Sequence, residues 1–457
     1  MKRLVRRLLG SRVGAGTAVG VAGMVMLIVT QLIAVPVMAR NWGLAAYGSW
    51  LVLFTLPSLL AQGDLGLSLA GGTIMIDAVA RGEGQRAAAV LSALRLVTLT
   101  IGCCALVATL GYVLLLAPHA LDFAQRLAGG QGLLLLVLLT LYGMISLQNS
   151  VTIAALRAAD DYAGGLMWFQ LIMVGESLLA LAVVALGGGA LAAAACYLLV
   201  RMAGAVLLSL RLRVRAPWSR GARLRADRAT LRELAPTALA SFTLPLANAT
   251  IYQGAVLVIG AACGAAAVPA FTAVRTLSRT AMSVLLRINF ASQPRYTVAT
   301  ATGDGAARGL LLVLNLAIAP LALPWVLVLG LFGALIVQVW THGAVVADAP
   351  LLWLMGAIAL TNALWMPLSN LVVALNRQGR FSYFYLGSAL AALAVGNWAA
   401  RGLAPVVGVR RIALALLGQE VAMLVWVVAV SASLGMLARS ELRAGLSGLR
   451  ALLHRPG

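Results

Sequence analysis

Three arginines, Arg275, Arg279 and Arg287, stand in a stretch that is otherwise apolar enough to cross a membrane. Charge in such a place is costly and marks a functional candidate by default. Arg275 and Arg279 are four residues apart and share one helix face. Arg287 follows eight residues later, turned by about 80° at 3.6 residues per turn. At 1.5 Å per residue, Arg275 to Arg287 covers roughly 18 Å of depth, more than half of a hydrocarbon core of about 30 Å. Guanidinium forks stay charged and hold phosphate oxygens in pairs, so such a ladder suits an anion that must cross. The plainer reading is that Arg287 snorkels to the interface while a carboxylate neutralises Arg279.

The other intramembrane candidates are Asp64, within Gln62-Gly63-Asp64-Leu65-Gly66, and Glu176 and Arg201. Buried carboxylates can carry a proton or hold sodium; they can equally neutralise arginine, and Glu176 with Arg201 is a candidate pair. Gln31, Asn248 and Gln253 can line a polar lumen or bond between helices. Pro57 and Pro245 are candidate kinks. Tyr47, Trp42, Trp50, Trp325 and Trp340 fall near expected outer span ends, where aromatic residues anchor at the interface. Cys103, Cys104, Cys196 and Cys263 lie in apolar stretches and read as packing residues. His119, His342 and His454 are scattered. Neither set has metal-ligand spacing, and neither a Walker loop nor a dinucleotide fingerprint is present. No metal, cofactor or catalytic residue is expected, and the chain does not read as an enzyme.

The elements that must position these residues are membrane helices. Of 457 residues, 62% are hydrophobic and 10% charged, against about 25% charged in soluble domains. The net charge of +21 would suggest nucleic acid in a soluble chain, but here it collects in loops between apolar windows, and no nucleic-acid partner is expected. Windows of about 20 residues place spans near 14–39, 45–76, 88–117, 131–156, 165–187 and 190–210. After a basic stretch come 237–261, 268–296, 308–332, 349–375, 382–400 and 411–437. That is about twelve transmembrane helices.

The stretch Arg211 to Pro236 carries eight arginines, from Arg211 to Arg232, against Asp227 and Glu233. Cytoplasmic loops collect Lys and Arg, so this linker is expected in the cytoplasm. Alternate loops then hold Arg81 and Arg86, Arg157, Arg295 and Arg308, and Arg377 with Arg380 on that side, together with both termini. Arg40, Arg126, Arg401, Arg410 and Arg411 fall on the other side, so the bias is imperfect near 401–411. The expected organisation is a first six-helix lobe at 1–210, the linker at 211–236, a second lobe at 237–437 and a basic tail at 438–457. A short interfacial helix is expected over residues 2–9.

The halves read as copies at an offset of about 221. Gln31 precedes Tyr47 as Gln253 precedes Pro269. Gly82-Glu83-Gly84 matches Gly303-Asp304-Gly305, and Ala155-Leu156-Arg157 matches Ala374-Leu375-Asn376-Arg377. Two such lobes are the plan of many transporters.

Tyr47-Gly48-Ser49-Trp50, Pro57, and Asp64-Leu65-Gly66-Leu67 with Ala70 resemble the start of polysaccharide-biosynthesis flippases. These are the Wzx-type O-antigen and exopolysaccharide translocases of the multidrug/oligosaccharidyl-lipid/polysaccharide (MOP) exporter superfamily. Ala267-Val268-Pro269-Ala270-Phe271 leading to Arg275, and Ala374-Leu375-Asn376-Arg377, are similar to that family's second half. The resemblance implies an all-α, MATE-like fold of two pseudo-symmetric lobes in a bacterial inner membrane. It also implies alternating access for an undecaprenyl-diphosphate-linked oligosaccharide, moved to the periplasmic leaflet. Membrane lipids, a polysaccharide polymerase with its chain-length machinery and a coupling ion, sodium or proton, are the partners it implies. The alternatives are a cation-coupled multidrug antiporter of the same fold, or a membrane-embedded polymerase or ligase. Spans one and seven hold no carboxylate, which speaks against drug export; the expected loops lack room for a catalytic periplasmic segment.

Overall fold

The structure, a computed structural model, describes residues 12–62, 66–111, 124–125, 127–222, 227–374, 378–433, 443 and 445–447. Asp64, the basic residues 2–9, Arg126, Arg377 and most of the tail lie outside them.

The described chain is helical throughout, without a strand. The helices are α1 (Arg12–Leu53), α2 (Thr55–Gln62), α3 (Leu67–Ala80), α4 (Gly84–Gly111), α5 (Gly132–Ala158), α6 (Tyr162–Ala185) and α7 (Ala190–Arg215). They continue as α8 (Arg228–Ala249), α9 (Ala255–Cys263), α10 (Val268–Ala301), α11 (Gly305–Ile318), α12 (Ala322–Trp340), α13 (Ala349–Ala374), α14 (Gln378–Ala400) and α15 (Pro405–Ser433). Among the described residues, nine helical stretches are long and apolar enough to cross a membrane. The chain is a multi-pass membrane protein.

Where it is described, each of the twelve expected windows falls mainly on helix, but three do not qualify as separate apolar spans. The first and second merge in one run, Val25–Ala61, because α1 continues through Gly43, whose φ of 76° and ψ of 165° break the helix between the two windows. Helix α10 is diluted by its arginines, and α14 opens on Gln378, Arg380, Ser382 and Tyr383.

Contacts divide the chain into two units, Met1–Ala249 and Thr250–Gly457. In the first, α5 packs on α2, α4 and α7, and α6 on α1 and α7. Small residues allow close approach: a side chain at Gly143 of α5 would lie 3.0 Å from the Pro57 Cα of α2. Met75, Leu91, Leu94, Leu156, Leu208 and Leu212 form a core where α3, α4, α5 and α7 meet. Loops expected on one side of the membrane meet at one end of this unit. Arg211 forks onto Asp161 at 2.7 and 2.9 Å, and Arg86 reaches Glu233 at 2.7 Å. The opposite-side loops meet likewise, through the Trp42 indole donating to the Gly188 carbonyl at 3.0 Å. The stretch 211–236 is partly helical, with α7 running to Arg215 and α8 starting at Arg228, so residue 237 falls inside α8.

In the second unit α13 packs against α10, α12 and α15, and α14 against α15. The repeat expected from the sequence recurs in backbone geometry. After α3 the Gly82 and Glu83 N–H groups donate to Val79 and Ala78; after α10 those of Gly303 and Asp304 donate to Thr300 and Ala299. Gly82 and Gly303 both have positive φ, 76° and 68°. Gly43 and Gly264 share nearly one conformation, with φ of 76° and 86° and ψ of 165° and 158°. Both pairs stand 221 residues apart.

Two expectations about apolar positions are corrected. Tyr47 and Trp50 do not sit as interfacial anchors: both are buried, with Trp50 in a ring cluster with Phe54 and Tyr197. Trp325 is also tied inward, its indole donating to the Leu277 carbonyl at 3.1 Å. Cys103 and Cys104 are exposed on α4 rather than packed.

Candidate functional site

Among the described residues, each unit buries one carboxylate cluster, and the two differ in kind. In the first unit Glu176 of α6 and Arg201 of α7 form an ion pair, each about as buried as a core leucine at 2% and 3% exposure. The Tyr142 hydroxyl of α5 donates to Glu176 Oε1 at 2.7 Å and accepts from Arg201 Nη2 at 2.7 Å. The guanidinium also lies over the rings of Tyr142 and Phe169, at 4.9 and 5.6 Å. Charge is balanced within the cluster, as a pair that cancels its own desolvation requires.

In the second unit a cavity opens beside α10, lined among others by Tyr252, Arg275, Ser278, Arg279, Asn362, Gln419 and Glu420. Its floor helix is held firmly. Trp325 of α12 bonds α10 at Leu277, and Asn370 of α13 donates to the Asn289 side chain at 2.8 Å. One wide π-helical turn, Thr250–Gly254, interrupts the rod between α8 and α9. Such turns are frequent at functional sites. Here the Tyr252 carbonyl accepts from Arg275 Nη1 at 2.7 Å, and the Tyr252 ring lies 4.0 Å from the Arg279 guanidinium carbon. Arg275 lies over Phe271 at 5.2 Å. The two guanidinium groups are therefore held by aromatic faces and a carbonyl, which leaves the cavity with a cationic wall.

Glu420 of α15 lines the same cavity. Its Oε2 accepts from the Trp365 indole at 2.6 Å and from Asn362 Nδ2 at 3.2 Å. The neighbouring Gln419 is 3% exposed, and neither amide atom has a hydrogen-bond partner among the described residues.

Of the residues singled out in the sequence, Arg275 and Arg279 come together on this cavity. Arg287 is on the same helix, and its side chain is outside what the structure describes. Glu176 and Arg201 pair elsewhere. Gln31 is exposed on α1, and Asn248 bonds the Leu244 carbonyl within α8 at 3.1 Å. Gln253 sits half-buried in the π turn. Glu420 was not among the expected residues. The signal was present: a lone carboxylate in the last apolar window, subject to the same rule that singled out Glu176.

Comparison with solved structures bears on the fold. An inward-facing multidrug resistance MATE family transporter of the MOP superfamily matches with a TM-score of 0.66 at 16% identity, over 90% of this chain and 96% of that one. The chain has the MATE fold. An outward-facing MATE family transporter of the MOP superfamily matches with a TM-score of 0.60 at 16% identity, over 99% of each chain. A MATE structure in the bent conformation gives 0.61 at 16% identity, over 96% of this chain and 98% of that one. No known family's sequence pattern matches the chain, and no curated protein matches it in sequence. At this identity the MATE likeness concerns architecture and leaves the substrate to the site.

Proposed function

We propose that the protein is a transporter that flips an anionic, lipid-linked substrate, an undecaprenyl-diphosphate-linked oligosaccharide, across the inner membrane by alternating access. The observation that supports this reading is the placement of Arg275 and Arg279 together on one cavity, both held in position by Tyr252. Two fixed guanidinium groups suit a diphosphate, which offers oxygens at matching spacing. Gln419, Asn362 and Ser278 supply amide and hydroxyl groups of the kind that bind sugar hydroxyls.

One observation favours a second reading, a cation-coupled multidrug antiporter. Glu420 lines the same cavity, so the absence of carboxylates from spans one and seven does not make the protein's interior free of them. Substitution separates the two. In a strain lacking the gene, Arg279→Ala is expected to leave unpolymerised lipid-linked repeat units accumulated, while Arg279→Lys restores part of the flux and Glu420→Gln most of it. Normal repeat-unit levels with Arg279→Ala, alongside drug sensitivity that depends on Glu420, would favour the antiporter.

A further inference from the structure

Helices α13 and α15 form a groove away from the cavity. From α13 it takes Pro350, Trp353, Leu354 and Ala357, and from α15 Val407, Arg410, Arg411 and Leu414. Each set is spaced i, i+3, i+4, i+7, so each helix gives the groove one continuous stripe. At 1.5 Å per residue the stripes run about 10 Å, the reach of part of an acyl chain.

Its charge comes from one helix, from Arg410 and Arg411 in the middle of the α15 stripe between Val407 and Leu414. Arg410 forks onto Asp348 at 2.6 and 2.5 Å and is neutralised there. Arg411, one residue on, is exposed and makes no ion pair among the described residues. The other lining residues are apolar, with Leu414 and Trp353 exposed. Trp353 is fixed from behind, because its indole lies where a side chain at Gly330 of α12 would go. One uncompensated guanidinium in an apolar trough with a half-exposed indole matches a lipid with an anionic headgroup. The same arginines break the sidedness pattern of the loops, and a headgroup contact gives them a physical reason to be there.

We infer that this groove binds an anionic phospholipid, its phosphate on Arg411 and an acyl chain along Leu354, Ala357 and Leu414. The test is native mass spectrometry of the purified full chain titrated with phosphatidylglycerol and with phosphatidylcholine of the same acyl chains. A basic side chain at the surface contributes about fivefold in affinity for anionic lipid, so wild type is expected to favour phosphatidylglycerol by about that factor. Arg411→Gln should abolish the preference and Arg411→Lys keep it, while Arg220→Gln, in the linker, should leave it unchanged. Trp353→Ala should weaken both lipids together. Equal binding of the two lipids by wild type, or an undiminished preference in Arg411→Gln, would overturn the inference. So would displacement of phosphatidylglycerol by a polyprenyl diphosphate, which would make the groove part of the substrate path.

Discussion

Glu176 and Arg201 show what a charge must have to persist in an apolar bundle: an opposite charge in contact, a hydroxyl shared between them and aromatic faces around the guanidinium. Breaking such a pair from one side costs about 3–5 kcal/mol, because the surviving charge stays buried. Glu176→Gln should therefore lower the melting temperature in detergent steeply, and Glu176→Gln combined with Arg201→Met should recover much of the loss. A variant Glu176→Gln that melts like wild type but cannot transport would make the carboxylate a coupling group instead. The pairing was legible in the sequence, since two opposite charges in consecutive apolar windows have few other partners. The Glu420 cluster was less so: its carboxylate is bonded by Trp365 and Asn362, neutral residues that carry no charge signal along the chain.

Among the elements, the glycine breaks are the most specific devices. Gly43 and Gly264 both have positive φ with extended ψ, a region essentially closed to residues with a Cβ, at a cost of about 1–3 kcal/mol. Gly43→Ala and Gly264→Ala are expected to destabilise by that amount in thermal melts. Gly175→Ala, on α6 with open space around its position, is expected to stabilise slightly, by up to about 1 kcal/mol. If all three behave alike, the breaks are not conformational requirements. Apolar windows located the helices well, because span length is set by the bilayer. They left a gap at 40–44 that holds the Gly43 break, but they could not locate the π turn at Thr250–Gly254, which does not interrupt the apolar run. Aromatic residues such as Trp50 misled for the same reason: interfacial and core positions call for the same side chain.

For the molecule as a whole, the same turns recur in both halves while the chemistry diverges. In one unit the buried Glu176–Arg201 pair cancels its own charge; the other presents two arginines and a carboxylate to a cavity. This asymmetry within a repeated frame supports assigning substrate contact to the second unit. The most direct test is transbilayer movement of a fluorescent polyprenyl-diphosphate-linked oligosaccharide in vesicles containing the purified protein, read by protection from an impermeant quencher. The account predicts that wild type equilibrates the substrate between leaflets, that Arg279→Ala does not, and that a neutral polyprenyl glycoside is moved far more slowly. Equal movement of the neutral and diphosphate lipids, or unchanged movement by a folded Arg279→Ala protein, would contradict it.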